Sequence, residues 1–424
     1  MTLRAGKGIF VNDSNSDDAS GAFMLRQALR RMTFLGRALL ALALALAAAP
    51  LPFSAAQAGS SESQQTRAKQ AILMDAGSGA VLYQHNADEL APPASMSKLM
   101  TLAVVFKALK NGEVNLADEV LMSERAWRTG GAPSGTSAMM VPVSTRETLD
   151  EMLQGIAVQS GNDACIAVAE HLAGSEEAFA QRMTEEARRL GLTKSTFRNA
   201  TGLHHPDHLM TARELALLAR HIITEYPDRY ALFAQKDFQY RKHRFVNRNP
   251  LLSLVAGVDG LKTGYVKEAG YGMVGSAVQD GRRLIVVVNG LATADDRKEE
   301  ARKLLEWGFK SFAEFKLFDA GEVVGYARVW GGNRMYVPLA GTSALEVLLP
   351  RTPANQKLRA EIVYNGPLKA PISKGDPVAV LRVTSSTSAT SELPLYAAED
   401  VPQAGLMRRG LDSLVHMAFG WVAL

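Results

Sequence analysis

The spacing of apolar and polar residues predicts most of the elements. Ala71–Met74 and Ala80–Gln84 are short apolar runs around Asp75-Ala76-Gly77-Ser78-Gly79, which predicts two strands joined by a turn. From Met96 to Lys110 the chain is apolar almost all round, then stops at Asn111-Gly112. A helix without a polar face belongs inside a core. Ser144-Thr145-Arg146-Glu147 reads as a capping box opening a helix through about Ala157. Ala164–Leu172 and Glu176–Leu190 read as further helices. Thr211-Ala212-Arg213-Glu214 is a second capping box, before a helix over Leu215–Thr224. Strands are predicted at Gly260–Thr263, Gly272–Val278 and Leu284–Asn289, and a long amphipathic helix over Arg297–Phe312. After about Phe318 the texture changes. Residues 319–396 are rich in Val, Gly, Pro, Thr and Ser, with short runs at Val337–Leu339, Leu345–Leu349, Lys357–Tyr364 and Val378–Val383. That pattern predicts a small all-β domain.

Both ends carry a different pattern. Arg26, Arg30, Arg31 and Arg37 precede an apolar run from Ala38 to Ala49, then Pro50-Leu51-Pro52 and Ala56-Gln57-Ala58. This reads as an export signal cut after Ala58; the apolar run is short of the roughly 20 residues of a membrane span. Met24 and Met32 compete with Met1 as the start. At the other end, Met407, Leu411, Leu414, Val415, Ala418 and Val422 recur at helical spacing, with Arg408, Arg409, Asp412 and His416 mainly on the other side. Such a helix, with Trp421 near its end, suits a membrane interface; docking on its own protein is the competing reading.

Composition narrows the class. The chain has 424 residues, 47% hydrophobic and 21% charged, which is ordinary globular usage. One cysteine, Cys165, excludes an internal disulfide and a cysteine-based zinc cluster. The net charge is +4, but six Lys/Arg and three Asp precede residue 59. Most of the excess therefore sits in the export leader, and no general case for nucleic acid remains.

The chemistry is carried by three short motifs. Ser95-Met96-Ser97-Lys98 stands at the start of the buried helix. Residues i and i+3 share a face, so the Ser95 hydroxyl and Lys98 amine can meet. Serine needs a base, and burial lowers a lysine pKa enough to make it one. Ser-x-x-Lys alone is weak, since about one match is expected by chance in a chain of this length. Ser160-Gly161-Asn162 falls between two helices, and Lys262-Thr263-Gly264 ends a strand. Alone, each reads as an ordinary turn or strand end. Their order and contexts together match the set recorded for penicillin-binding proteins and class A β-lactamases.

On these motifs, and on MDAGSGAVLY (74–83), SGNDAC (160–165), TGLHHPDHLMTARELALLA (201–219), NRNPLL (247–252), GVDGLKTGY (257–265) and LLEWGF (304–309), the chain resembles low-molecular-mass penicillin-binding proteins, the serine-type D-alanyl-D-alanine carboxypeptidases. The resemblance implies an α/β (α+β) domain of the serine β-lactamase and DD-peptidase type, an antiparallel sheet flanked by helices. It places residues 1–58 as extension and signal, 59–317 as catalytic domain, 318–400 as an all-β stalk and 401–424 as an amphipathic anchor. It also implies the roles. Ser95 forms the acyl-enzyme, Lys98 is the general base and Ser160 relays a proton to the leaving D-Ala. Asn162 orients the acyl segment, and Lys262, Thr263 and Gly264 receive the terminal carboxylate. The backbone N–H groups of Ser95 and Tyr265 form the oxyanion hole. Arg297 stands where the family carries an arginine for the carboxylate; a solvated helix-start arginine is the competing reading. Tyr265 departs from relatives that carry His after Lys-Thr-Gly. The implied partners are a peptidoglycan pentapeptide ending in D-Ala-D-Ala, β-lactam inhibitors and, through the tail, the periplasmic face of the membrane. No cofactor and no metal is implied, and dimerisation stays open.

Other readings are weaker. A class A β-lactamase needs a glutamate to activate the deacylating water, and residues 190–213 hold only one acid, Asp207. A non-catalytic wall-binding protein would need neither Ser95 nor Lys98. His204, His205, Asp207 and His208 cluster in a Gly/Pro-containing loop and not on a helix, where the H-x-x-x-H pair of a zinc hydrolase lies. Cys165 lies one helical turn from Asn162 and reads as a small buried cysteine packed behind the site, where a thiol reagent could interfere without the thiol being catalytic.

Overall fold

The computed structural model describes residues 3–5, 65–351, 358–385 and 390–406. The export signal and nearly all of the amphipathic tail lie outside the described residues. Among the described residues no helix is long and apolar enough to cross a membrane.

The central sheet is built from β1 (Gln70–Asp75), β2 (Val81–His85), β3 (Val258–Val266), β4 (Gly270–Gln279) and β5 (Arg282–Leu291). Its order is β2-β1-β5-β4-β3, with every pairing antiparallel. Segments from the two ends of this region thus meet at β1 and β5, where Leu284 lies opposite Asp75 and Asn289 opposite Gln70. Strand alternation divides the side chains between two cores. Ile72, Met74, Ile285 and Val287 enter the larger core, and Ala71, Leu73, Leu284, Val286 and Val288 enter the smaller one.

The larger core is helical. It surrounds α1 (Lys98–Lys110) and includes α2 (Asn162–Ala173), α3 (Glu176–Arg189) and α4 (Ala212–Glu225). Residues Lys98 to Phe106 of α1 are all buried, as its lack of a polar face requires. The smaller core is closed by α5 (Ala294–Ser311) through Ala301, Leu304 and Leu305. Thr293 caps α5 by accepting from Asp296 N, so this helix begins three residues earlier than its apolar pattern suggests.

The capping box at Ser144–Glu147 is not the one used. Arg146–Thr148 instead pairs with Glu119–Leu121, and the helix runs Leu149–Gln154 behind a box formed by Thr148 and Glu151. Glu147 is occupied by a hairpin, Asp237–Tyr240 with His243–Val246, accepting from Tyr240 Oη at 2.8 Å and Arg241 at 2.7 Å. The helix continues as a π-type turn, Gly155–Gln159, that ends at Ser160. At the second box, Thr211 does accept from Glu214 N. The Glu214 carboxylate, however, turns away to Lys194 N and Ser195 Oγ.

Strand β6 (Phe312–Phe318) follows α5 without a linker and pairs with Leu345–Pro350. These seven residues therefore join the β-rich part. Beyond them, Leu358–Tyr364, Pro377–Ser385, Thr390–Ala397, Tyr336–Ala340 and Val323–Trp330 lie side by side as antiparallel neighbours. They enclose a core of their own, including Val337, Leu339, Leu381 and Leu395.

Candidate active site

Ser95 sits in a 3-10 turn, Ala94–Ser97, that runs into α1. Ala94 before it holds a left-handed backbone, φ +50°, and Ser160 does the same at φ +66°. Side chains other than glycine pay for that conformation, which concentrates at functional sites. Two glycines let neighbouring segments close on the turn. A Cβ on Gly264 would stand 3.0 Å from Pro93 O, and one on Gly202 would stand 2.0 Å from Ala94 O. The strand carrying Lys262-Thr263-Gly264 and the loop carrying Thr201 can therefore both lie directly against the serine.

Lys98 Nζ lies 3.0 Å from Ser95 Oγ and 2.5 Å from Thr201 O. Its side chain is fully enclosed, and burial lowers its pKa to about 8. The Thr201 carbonyl is held by its own loop. Asn199 Oδ1 accepts from Thr201 N, Thr201 Oγ1 and Gly202 N, and Glu176 accepts from Ala200 N at 3.0 Å. Lys262 is also buried and donates to Thr263 O at 3.1 Å. Burial first, then the Lys98 charge, pushes its pKa well below the ordinary value.

The second motif is tied to an adjacent loop. Asn162 N donates to Ser137 O at 2.7 Å, and Asn162 Nδ2 donates to Thr136 Oγ1 at 2.9 Å. The buried Asp163 carboxylate accepts from Met139 N at 2.8 Å and Met140 N at 2.9 Å. Ser160 Oγ and Asn162 Oδ1 are buried with no hydrogen-bond partner. Buried polar atoms left open in this way are suited to a ligand. Asp163→Ala is expected to cost about 3 kcal/mol in urea unfolding, because it strands several buried N–H groups. Asp163→Asn should cost less.

A cleft of about 450 Å³ is lined by Ser95, Ser137, Ser160, Arg248, Thr263, Gly264, Tyr265, Tyr271 and Arg297. Lys98 lies directly beneath Ser95, and the Lys262 amine is buried beside Thr263. The sequence reading did not single out Ser137, Arg248 or Tyr271 as site residues. Arg248 stands within the NRNPLL stretch, but only the fold shows where its side chain goes. Its neighbours Asn247 and Asn249 spend their side chains on backbone groups, including Phe233 O, Gln235 O and Gly260 O, while Arg248 reaches Ser137 Oγ at 2.9 Å. Arg297 is not a solvated helix-start residue: it lines the cleft, and burial lowers its pKa.

Other titratable groups lie outside this chemistry. Cys165 is fully buried, as its sequence context suggested, and burial pushes its thiol up to about 12, which disfavours attack by thiol reagents on the native chain. Ellman's reagent should react with the urea-unfolded chain at once and with the native chain only as fast as it opens. His208 is buried against Phe197, and burial lowers its pKa to about 3. Among the described residues no group of three or more His, Cys, Asp or Glu is placed to hold a metal.

Comparison with known proteins agrees with this geometry. Residues 56–293 match the family described as D-alanyl-D-alanine carboxypeptidase, and residues 312–403 match the penicillin-binding protein 5 C-terminal domain. The D-alanyl-D-alanine carboxypeptidase DacC of Escherichia coli is 39% identical over 85% of this chain and 90% of its own. DacF of Bacillus subtilis is 33% identical over 80% and 87%. The crystal structure of penicillin-binding protein 5 from Haemophilus influenzae superposes with a TM-score of 0.70 at 34% identity, covering 80% of this chain and 99% of that one. With the serine, the buried lysine and the Lys-Thr-Gly strand in one cleft, and matches over both parts of the chain, this protein belongs to the D-alanyl-D-alanine carboxypeptidase family.

Proposed function

We propose that the cleft removes the terminal D-alanine from peptidoglycan pentapeptide stems through an acyl-enzyme on Ser95, and that penicillins acylate the same oxygen. The observation that carries this reading is the 3.0 Å contact between Ser95 Oγ and the amine of the fully buried Lys98. In the neutral amine, one N–H remains on Thr201 O and the lone pair turns to the Ser95 hydroxyl proton. Ser95 Oγ attacks the carbonyl of the D-Ala-D-Ala bond while its proton passes to Lys98 Nζ. The oxyanion is received by the backbone N–H groups of Ser95 and Tyr265. The C–N bond then breaks as the leaving amine takes a proton through Ser160, whose Oγ is otherwise unpaired. Water attacks the ester and restores Ser95.

Substrate binding follows from charge. Arg248 and Arg297 line the cleft with no carboxylate beside them among the described residues, and the Lys262 amine is buried close by, so a terminal carboxylate would supply the missing partner. Thr263 and Gly264 border that end, and the open Asn162 Oδ1 receives the acyl-side amide. A β-lactamase reading needs a free glutamate near the ester. Glu176 is held by Ala200 N and Arg125, and Glu214 by Lys194 N and Ser195.

In the same proposal residues 59–311 carry the chemistry and the β-rich part, 312–400, forms a stalk. The leader exports the chain, and residues 404–424 hold it on the periplasmic membrane face. The leader and tail readings are supported by sequence pattern. The deciding experiment is D-alanine release from a defined pentapeptide, alongside covalent labelling by a fluorescent penicillin. Release with one label per chain is expected; absence of both from folded protein would sink the reading.

A further inference from the structure

Arg297 lies one turn into α5, beside Asp295 and Asp296, yet pairs with neither. Asp295 takes Lys298 at 2.8 Å, and Asp296 takes Arg67 at 2.5 Å. Glu300, farther along the same helix, is occupied by Thr66 and Arg67. The Arg297 guanidinium instead lies 5.6 Å from the centre of the Tyr271 ring, and its Nε is buried with no hydrogen-bond partner. Tyr271 is backed in turn by Tyr265, ring centres 4.3 Å apart and planes 32° apart. Tyr265 and Tyr271 are direct cross-strand partners on β3 and β4. All three side chains line the cleft.

This arrangement has a specific consequence. A carboxylate neighbour would hold the arginine by consuming its N–H fork. An aromatic face attracts the cation through the ring quadrupole and leaves the fork free for an incoming anion. The strand that carries the ring is fixed at this point. A Cβ on the next residue, Gly272, would stand 2.5 Å from both Asn289 Oδ1 and Met96 Cε, so β4 is pressed against the serine-bearing turn at this point.

We propose that Tyr271, buttressed by Tyr265, is a positioning residue that holds Arg297 ready for a free carboxylate, and that this aromatic pair sets the preference for an acid over a neutral substrate terminus. The proposal rests on the reading that Arg297 receives the terminal carboxylate. In this proposal the Tyr271 ring acts through Arg297 and not on the scissile bond. Its contribution therefore enters KM for acidic substrates rather than kcat.

The test compares an acyl-D-Ala-D-Ala peptide with its C-terminal amide on the full chain. Tyr271→Leu should raise KM for the acid about tenfold, leave kcat within about twofold, and leave the amide unchanged. Tyr271→Phe, which keeps the ring face, should behave as the unaltered enzyme. Arg297→Ala should lower the acid preference at least as far as Tyr271→Leu does, leaving what Lys262 and Arg248 supply, and adding Tyr271→Leu to it should change nothing more. If Tyr271→Leu does not fold, Tyr271→Met removes the ring while keeping a long side chain and carries the same expectations. Equal losses on acid and amide, or losses that add to those of Arg297→Ala, overturn the role of Tyr271 and leave the Arg297 reading intact. An acid preference that Arg297→Ala leaves undiminished overturns both.

Discussion

Ser95→Ala is expected to lower D-alanine release by ~10⁴-fold or more, and to remove the penicilloyl mass adduct altogether. Without the hydroxyl there is no atom in the cleft placed on Lys98 to form the ester. Ser160 is the nearest chemical substitute, but its Oγ is unpaired rather than bonded to a base. The side chain of Ser95 is small and only part-buried, and its recorded bond is to Lys98. Thermal unfolding of the variant should therefore remain close to that of the parent. A variant that retains an adduct on another residue would refute Ser95 as the nucleophile.

Lys98→Ala is expected to slow penicillin acylation by ~10³-fold, the usual range for loss of a general base. The pH profile separates this from mere loss of packing. Burial lowers Lys98 to about 8, so below that pH the amine is protonated and cannot take the Ser95 proton. Acylation by the unaltered enzyme should fall about tenfold per pH unit below that value and level off roughly one unit above it. Lys98→Ala should lose this limb while its residual rate stays nearly flat over the same range. A parent profile that is flat from pH 6 to 9 would contradict lysine as the base.

Much of this site was legible before folding because its parts are local. Ser95 and Lys98 share one helical face, and an apolar helix leaves a lysine no polar face to occupy, so both contact and burial follow from a few adjacent residues. The helix over Arg297–Phe312 and the strands at 260–289 were likewise visible, because periodicity reports on one face of one element. The box at Ser144–Glu147 misled because an equivalent pattern, Thr148 to Glu151, lies just beyond it. The choice between them was made by Glu147, which a distant hairpin claims through Tyr240 and Arg241. Arg248 was not singled out because nothing near it in sequence shows that Asn247 and Asn249 brace the chain around it.

By itself, then, the sequence determined the meeting of Ser95 and Lys98, the order of the three motifs and the presence of a β-rich part in the last quarter of the chain. Those depend on helix and strand periodicity and on residue chemistry over short spans. Only the tertiary structure decided which groups share the cleft. The sheet joins β1 to β5 across about two hundred residues and lays β3 against the serine-bearing turn, with Gly264 and Gly202 allowing the approach. It also decided the electrostatics. The depressed lysines and the arginine held on Tyr271 arise from burial and from neighbours remote in the chain, which no local pattern encodes.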